Sequence, residues 1–289
     1  MASMRDIKRR KSSIQSTQQI TKAMKLVSTV KLQRTKQRAE QSKTYFEAMY
    51  KTVTSMLSKT GGLNHPYLKA STSEKKAVIV ITSNRGLAGG YNSNVTKLIT
   101  KGEFKKEDLV LYTIGKKGNE TFRRMGYNIA WDNTEMIEEP RYDDAMKLSK
   151  EILTGFSNGE FGEIYLAYTA FKNTISHEPT LIKLLPYEVD ENEAADDKQE
   201  NDDNVLMNFE PEDEEALNMI IPKYITSLIY GGMVEAAASE NGARMQAMDS
   251  ATSNAEEMIG KLSLMYNRAR QGSITQELTE IVAGANAIS

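Results

Sequence analysis

Apolar residues near the start of the chain recur at helical spacing within a long stretch that contains neither proline nor glycine. This stretch runs from Met4 to about Ser58, and its apolar residues lapse between Leu32 and Tyr45. Most of them are three, four or seven residues apart, which is typical of one face of a helix. The stripe consists of Ile7, Ile14, Ile20, Met24, Val27, Phe46, Met49, Val53 and Met56. The pattern predicts one long helix that ends before Gly61, Gly62 and Pro66.

The end of the chain shows a similar pattern. From Glu212 to about Ala283 the sequence contains one proline, Pro222, which predicts a kink near the helix start or an N-terminal turn. Glycines in this stretch each disfavour a helix by about 1 kcal/mol relative to alanine. The predicted apolar seam consists of Leu217, Ile221, Tyr224, Leu228, Met245, Met248, Ala255, Ile259, Leu262, Met265, Leu278 and Ile281.

Both stripes are narrow, which favours a coiled coil over burial inside a globular domain. Because the two helices lie at opposite ends of the chain, the simplest arrangement pairs them antiparallel. The periodicity leaves a second arrangement open, in which each helix pairs with another chain.

The residues between the helices have the rhythm of an α/β domain. Apolar β-rich runs alternate with amphipathic stretches at Tyr91–Lys101, Lys116–Met125 and Asp143–Phe156, and this alternation predicts a mostly parallel sheet. The predicted strands are Ala77–Thr82, Leu109–Ile114, Asn128–Trp131, Glu163–Phe171 and Thr180–Leu185. The chain therefore divides into an N-terminal helix (1–60), a linker (61–75), a central α/β domain (76–189), an acidic loop (190–210) and a C-terminal helix (211–289).

The composition excludes several kinds of chemistry. The 289 residues include no cysteine and two histidines, His65 and His177, so disulfides, Cys/His zinc sites and His-based triads are not expected. The apolar runs are much shorter than the ~18 residues of a membrane span, and no signal-peptide core follows the basic start.

Charge is distributed unevenly along the chain. Residues 1–59 contain 14 Lys and Arg against 3 acidic residues, whereas residues 188–215 contain 14 Asp and Glu against Lys198. A basic helix can bind nucleic acid, an acidic membrane surface or an acidic protein. The acidic run is typical of a solvated loop.

The sequence SNRGLAGGYN (83–92) is the one candidate phosphate loop, since it joins a predicted strand to a predicted helix. The spacing of Gly86, Gly89 and Gly90 matches neither the dinucleotide fingerprint nor the P-loop. No acidic residue ends the second strand, where a dinucleotide fold would hold the ribose. We therefore predict a tight turn whose glycines serve positive φ angles or close packing.

The sequence contains no evident catalytic constellation. Adjacent carboxylates such as Asp143 and Asp144 point about 100° apart on a helix and do not converge on one substrate. His177 precedes Pro179 in a turn and suits a structural role. We predict no catalytic residue, no metal site and no cofactor, and interpret the chain as an interaction protein.

Four segments resemble the gamma subunit of F-type ATP synthases, and together they span nearly the whole chain. They are TQQITKAMKLVSTVKL (17–32), SNRGLAGGYN (83–92), SENGARMQAMDSATSNAEEMI (239–259) and YNRARQGSITQELTEIVAGANA (266–287). The chain differs from the family at Asn84, commonly Asp, and at Ala88, often Cys. It also lacks the cysteine-bearing insertion of the chloroplast members.

The resemblance implies a rotor without a catalytic site. The two terminal helices would form an antiparallel coiled-coil shaft inside the hexamer of alpha and beta subunits. A Rossmann-like, mostly parallel sheet domain would form the foot, bound to the epsilon subunit and to the c-ring of the membrane sector. One copy per complex would lie at the cytoplasmic face of the cell membrane, peripherally and without crossing it.

The resemblance also assigns site residues. The contacts that grip the beta subunits would be Met24, Lys25, Arg244, Gln271 and Thr275, and the apolar bearing tip would be Ile281, Val282 and Ile288. Met24 also suits the coiled-coil seam, and Thr275 could cap or back-bond a helix.

Two other functions stay open on the residues alone. The first is a basic coiled-coil protein that binds nucleic acid or acts as a scaffold, although no aromatic residue precedes Tyr45 in the basic helix. The second is an α/β enzyme with helical dimerisation arms, which the missing catalytic groups disfavour.

Overall fold

The structure is a computed structural model, and it describes residues 3–59, 66–68, 73–186 and 213–288. The predicted acidic loop 190–210 lies entirely outside these residues, and so does much of the predicted linker 61–75. The helices are α1 (Met4–Lys59), α2 (Tyr91–Thr100), α3 (Lys116–Arg124), α4 (Tyr142–Ser157) and α5 (Asp213–Ile288). The strands are β1 (Lys76–Ile81), β2 (Leu109–Ile114), β3 (Asn128–Asn133), β4 (Glu163–Phe171) and β5 (His177–Leu185).

The chain divides into two compact units. Unit 1 comprises Met1–Thr29 with Arg244–Ser289, and unit 2 comprises Val30–Ala243. Each of the two long helices contributes one segment to each unit.

The sheet of unit 2 has the strand order β3-β2-β1-β4-β5. Strands β1 to β4 are parallel, and β5 runs antiparallel to β4. The first two strands are central because their Val, Ile and Leu runs are buried on both faces. The predicted start of the fifth strand, Thr180, is wrong: β5 begins at His177, because β4 and β5 form an extended hairpin.

Helices cover both faces of the sheet. On one face Val78, Val80 and Leu111 pack with Val95 and Ile99 of α2 and with Phe122 of α3. The other face is covered by α4 together with parts of α1 and α5. Its core includes Ile79, Ile81, Leu166, Leu148, Ile152, Val53, Met56, Leu217, Ile221, Ile225 and Met233.

Within unit 2, α1 and α5 run antiparallel. Phe46 contacts Tyr230 at a ring separation of 6.2 Å, and Tyr50 contacts Tyr224 at 6.4 Å. Gly231 allows this approach, since a Cβ there would lie 3.1 Å from the Phe46 ring. The predicted N-terminal turn at Pro222 is wrong: α5 begins at Asp213, and Pro222 lies inside the helix.

Candidate functional site

Residues 3–29 of α1 and 244–288 of α5 make up the described part of unit 1, and we call them the helix pair. The inward positions of α1 alternate at steps of four and three, which is the heptad spacing of a coiled coil. They are occupied by Ile7, Lys11, Ile14, Gln18, Thr21, Lys25 and Ser28, all of them buried or half-buried. The inward stripe therefore changes from apolar to polar along the helix.

The inward positions of α1 differ from the apolar stripe that the sequence predicts for it. Ile20 and Val27 are exposed, and their neighbours Thr21 and Ser28 are buried in their place. Buried hydroxyls are tolerated here because each can bond the helix backbone. The Ser28 hydroxyl donates to the carbonyl of Met24 at 2.8 Å, and the Thr21 hydroxyl lies 3.0 Å from the carbonyl of Gln18.

The α5 segment has the same spacing. Its inward positions are Met245, Met248, Thr252, Ala255, Ile259, Leu262, Tyr266, Ala269 and Ser273. The predicted seam positions from Met245 to Leu262 are confirmed. Met265, Leu278 and Ile281 are wrong as seam residues, since all three are exposed.

Two polar contacts join the helices of the pair. The hydroxyl oxygens of Thr21 and Thr252 lie 2.8 Å apart, and Lys25 Nζ lies 2.6 Å from Asp249 Oδ1. As the position on α1 rises by four residues, the position on α5 falls by three. The helices are therefore antiparallel, as predicted.

The predicted grip residues fall into two groups along the helix pair. Met24, Lys25 and Arg244 lie near each other, because Lys25 contacts Asp249, five residues along α5 from Arg244. Arg244 is 9% exposed. Gln271 and Thr275 are both exposed. Gln271 lies 27 residues beyond Arg244 along α5, which is about 40 Å at the rise of a helix.

Thr275 bonds the backbone of its own helix, as its alternative role predicts: its hydroxyl donates to the carbonyl of Gln271 at 2.9 Å. Lys25 is already paired within the helix pair through Asp249. Met24 is half-buried but lies beside the seam, whose inward positions here are Thr21, Lys25 and Ser28.

The C-terminal part of α5 carries an apolar stripe that faces solvent. Ile281 and Val282 of the predicted bearing tip are exposed, and Leu278 and Ile274 continue the stripe one and two turns earlier, respectively. Ile288 is the last residue of α5, and its side chain is outside the described residues. The tip residues thus belong to a longer exposed surface.

Sequence reasoning missed a further set of outward apolar residues. They are Ile20, Leu26 and Val27 on α1, and Met258, Leu264 and Met265 on α5. The available signal was the excess of apolar residues beside each seam, because one seam cannot bury residues at adjacent positions. These side chains give each helix of the pair an apolar outer surface.

The turn at 83–92 uses its glycines unequally. Gly89 has a φ of 56°, as a tight turn predicts, but the neighbouring positive φ of 63° belongs to Leu87. Gly90 precedes α2, where an added Cβ would lie 3.1 Å from the Asn94 side chain. Gly86 has neither a positive φ nor a close contact, since a Cβ there would have nothing within 4 Å.

The end of β1 and the turn after it occupy the first amides of α3, the helix that follows β2. The Lys116 amide donates to Asn84 Oδ1 at 3.0 Å, and the Lys117 amide to the Ser83 carbonyl at 3.0 Å. The Gly118 amide donates to Thr82 Oγ1 at 2.8 Å. These three amides are therefore satisfied by the protein itself.

Helix α5 occupies the ligand crevice of the sheet. In sheets of this order the crevice lies where the strand order reverses, here between β1 and β4. The Tyr91 hydroxyl donates to the carbonyl of Ala236 at 3.1 Å, and the Ser239 hydroxyl to the carbonyl of Thr169 at 3.1 Å. Ala236 and Ser239 are fully buried, so the helix fills this space.

The helix pair has few acidic partners for its basic residues. Asp6 pairs with Arg9, and the hydrogen bond from Lys261 lowers the pKa of the Glu257 carboxyl.

Within the described residues, no cluster of three or more His, Cys, Asp or Glu side chains could hold a metal ion. No helix in the described ranges is long and apolar enough to cross a membrane.

Comparison with known proteins identifies the family. A family model described as ATP synthase matches residues 3–288. The chain is 65% identical to the ATP synthase gamma chain of Lachnoclostridium phytofermentans over the full length of both. It is 42% identical to the sodium ion specific ATP synthase gamma chain of Acetobacterium woodii, over 99% of each chain.

Solved structures share the fold at lower identity. A chain of the Euglena gracilis mitochondrial ATP synthase aligns with a TM-score of 0.68 at 18% identity, covering 99% of this chain and 94% of that one. A chain from the Tetrahymena thermophila mitochondrial central stalk and c-ring aligns with a TM-score of 0.57 at 24% identity, covering 80% and 99%.

Proposed function

Because this chain belongs to the family of ATP synthase gamma chains, which form the central stalk of F-type ATP synthases, we propose that it is a rotor. In this role it couples ion-driven rotation of the c-ring to ATP synthesis or hydrolysis in the hexamer of alpha and beta subunits. The epsilon subunit binds beside it. The observation that carries the proposal is the match over residues 3–288, which includes both segments of the helix pair.

The helix pair supports this role through its asymmetry. Its outer surface differs between the helices: α1 presents Ile20, Leu26 and Val27, whereas α5 presents Met258, Leu264 and Met265. Inside a shell of threefold symmetry, such a shaft contacts each beta subunit differently. A nearly complete switch between open and closed states needs a difference of about 5.5 kcal/mol in contact energy.

The predicted grip residues then act at two levels of the shaft. Met24, Lys25 and Arg244 form one contact zone with the beta subunits, and Gln271 with Thr275 forms a second. Ile281, Val282 and Ile288 belong to the bearing tip, where the exposed stripe that starts at Ile274 supports an apolar contact.

The chain has no catalytic role of its own in this proposal. The filled crevice between β1 and β4 supports catalysis on other subunits. One copy per complex lies peripherally at the cytoplasmic face of the cell membrane. The comparisons give no support to the nucleic-acid or scaffold alternative.

Reconstitution with the alpha and beta subunits tests the proposal. The chain contains no cysteine, so Glu103→Cys on the exposed surface of the central domain provides a single attachment point for a bead. We expect the tagged chain to bring down a hexamer, and ATP to turn the bead in one direction. A hexamer that forms and hydrolyses ATP equally well without the chain would contradict the proposal, and wild-type chain with an unattached bead is the control.

A further inference from the structure

The contacts between the two helices of the pair include an unusual polar centre. Thr21 is 8% exposed and meets Thr252 across the seam, with 2.8 Å between the hydroxyl oxygens. One turn further along α1, Lys25 meets Asp249 at 2.6 Å. The threonine contact lies inside the seam, whereas the Lys25–Asp249 pair lies at its solvent-exposed edge, with side chains 39% and 56% exposed.

The apolar contacts around this centre discriminate weakly between registers. Buried neighbours on the seam are small or flexible, namely Ser28, Met248 and Ala255. A methionine fills gaps of many shapes, and an alanine or a serine makes a shallow knob. Sliding one helix by one seam position would therefore exchange one set of loose contacts for another.

Polar groups inside a seam behave differently, because they match in one register and mismatch in the others. The Thr252 hydroxyl also lies 2.7 Å from the carbonyl of Met248. Each hydroxyl thus has an acceptor in its own helix, Gln18 for Thr21 and Met248 for Thr252, and one of the two donates across the seam instead. In a shifted register the contact between the two hydroxyls and the contact between Lys25 and Asp249 would both be lost.

We propose that Thr21–Thr252 and Lys25–Asp249 act together as a register lock of the helix pair. Their positioning role sets where Arg244 stands relative to Met24, because these residues lie on opposite helices close to the lock. A slip of one seam position would change their separation along the helix axis by about 6 Å. The consequence for coupling rests on the proposed rotor function, whereas the lock itself does not.

Engineered disulfides in the full-length chain measure the register directly, since the chain has no cysteine of its own. In an antiparallel helix pair, the numbers of two facing residues have a constant sum. Ile14 and Ile259 have the same sum as Thr21 and Thr252, so they face each other in the native register. A disulfide between Ile14→Cys and Ile259→Cys therefore reports that register. Ile14→Cys with Ala255→Cys reports the next seam position. The measured quantity is the ratio of the two disulfide yields under mild oxidation.

The lock variant combines Thr21→Val, Thr252→Val and Asp249→Asn, none of which is a predicted grip residue. We expect its ratio of native to shifted disulfide to fall about tenfold, as the loss of register-specific polar contacts requires. The matched control combines Thr17→Val, Thr279→Val and Glu257→Gln, at exposed positions that bond Ser13, Thr275 and Lys261 of the same helix. The control should keep the wild-type ratio.

Rescue separates positioning from general stability. Lys25→Asp alone should lower the ratio, and Lys25→Asp with Asp249→Lys should restore it by rebuilding the ion pair. An unchanged ratio in the lock variant, or a swap that restores nothing, would overturn the inference. The swap keeps the test decisive even if the triple variant does not fold.

In the whole ATP synthase, reconstituted with its membrane sector in lipid vesicles, the lock variant should transport fewer ions per ATP hydrolysed than the matched control. If the disulfide ratio falls as expected but the complex shows no rotation even with wild-type chain, the rotor proposal fails and the lock stands. If rotation is normal and the ratio does not change, the lock fails and the rotor proposal stands.

Discussion

Gly115 is held at the end of β2 in a conformation that alanine tolerates poorly. Its φ is 95°, and a Cβ at this position would lie 2.0 Å from the carbonyl oxygen of Thr82. Because that oxygen belongs to the backbone, the clash cannot be relieved by a rotamer change. We expect Gly115→Ala to lower the free energy of unfolding by about 2–4 kcal/mol, measured by chemical denaturation of the full chain.

Gly86 provides the matched control for this substitution. An added Cβ has nothing within 4 Å, so Gly86→Ala should change the stability by less than about 0.5 kcal/mol. Equal losses at Gly86 and Gly115 would mean that the turn is sensitive to any substitution, and that the close approach to Thr82 is unimportant.

His177 makes the stability of unit 2 depend on pH. Its ring contacts Phe171 at 5.9 Å between centroids, and a Cβ at Gly242 would lie 2.6 Å from it. Both ring nitrogens are buried, and neither has a hydrogen-bond partner among the described residues. Burial lowers the pKa of His177 below its ordinary value of 6.5. The unfolded chain therefore binds the proton more readily than the folded chain.

The stabilising contribution of neutral His177 is complete above pH 6.5 and decreases as the pH falls below that value toward the folded-state pKa. We expect the melting temperature of wild type to fall between pH 7.5 and 5.5 by more than that of His177→Phe, which keeps the ring contact but not the proton. His65→Gln should retain the wild-type dependence. Identical slopes in wild type and His177→Phe would refute this origin.

Single residues also mark the limit of sequence reasoning. The glycines of the 83–92 turn indicated positive φ angles, and Gly89 has one, but Leu87 shares this conformation without being glycine. Asn84 contributes Oδ1 to Lys116 and Nδ2 to the carbonyl of Thr134. Its partners lie 32 and 50 residues away, so no local pattern could predict them.

At the scale of elements, two leucines that are two residues apart test which side of α5 faces the seam. Leu262 is 9% exposed in the seam, and Leu264 is 62% exposed on the outer surface. Leu262→Ala should cost about 2–3 kcal/mol, because it leaves a gap between the helices. Leu264→Ala should change the stability by less than about 0.5 kcal/mol.

Thermal unfolding followed by circular dichroism at 222 nm, with both variants at equal concentration, measures this difference in the full chain. If Leu264→Ala were the more damaging change, the seam would have the opposite phase to the one described. A difference that appears only in the assembled complex would assign Leu264 to a partner contact and leave the seam without support from this pair.

The strands were predicted well because their signal is local. Leu109–Ile114 and Glu163–Phe171 have the predicted bounds, since continuous apolar and β-branched runs end abruptly at turn residues. The seam of α1 was predicted less well. Its inward positions beyond Ile14 are largely polar, so a search for apolar spacing selected Ile20 and Val27 on the outer surface.

At the scale of the whole molecule, the sequence reveals which parts exist but not how they depend on each other. The alternation of strands and helices predicts a self-contained α/β domain between two long helices. In unit 2, however, α1 contributes Val53 and Met56 to the main core of the sheet, and α5 contributes residues from Leu217 to Ala237. Met56 and Leu217 of this core are more than a hundred residues apart in the sequence, and the periodicity of each helix does not show that they share a core.

The central domain should therefore be unable to fold alone. A fragment of residues 73–186 contains the five strands and α2 to α4, but it leaves Ile79, Ile81 and Leu166 without the helices that cover them. Burial of each such side chain contributes about 1.5–3 kcal/mol, so the loss approaches the 5–15 kcal/mol, roughly, by which a whole domain is stable. We expect this fragment to give a poorly dispersed amide NMR spectrum and a non-cooperative melt.

The matched fragment of residues 30–243, which restores the covering segments of α1 and α5, should unfold cooperatively. A dispersed spectrum and a sharp transition for residues 73–186 would instead mean that α5 is an added layer on an independent sheet domain.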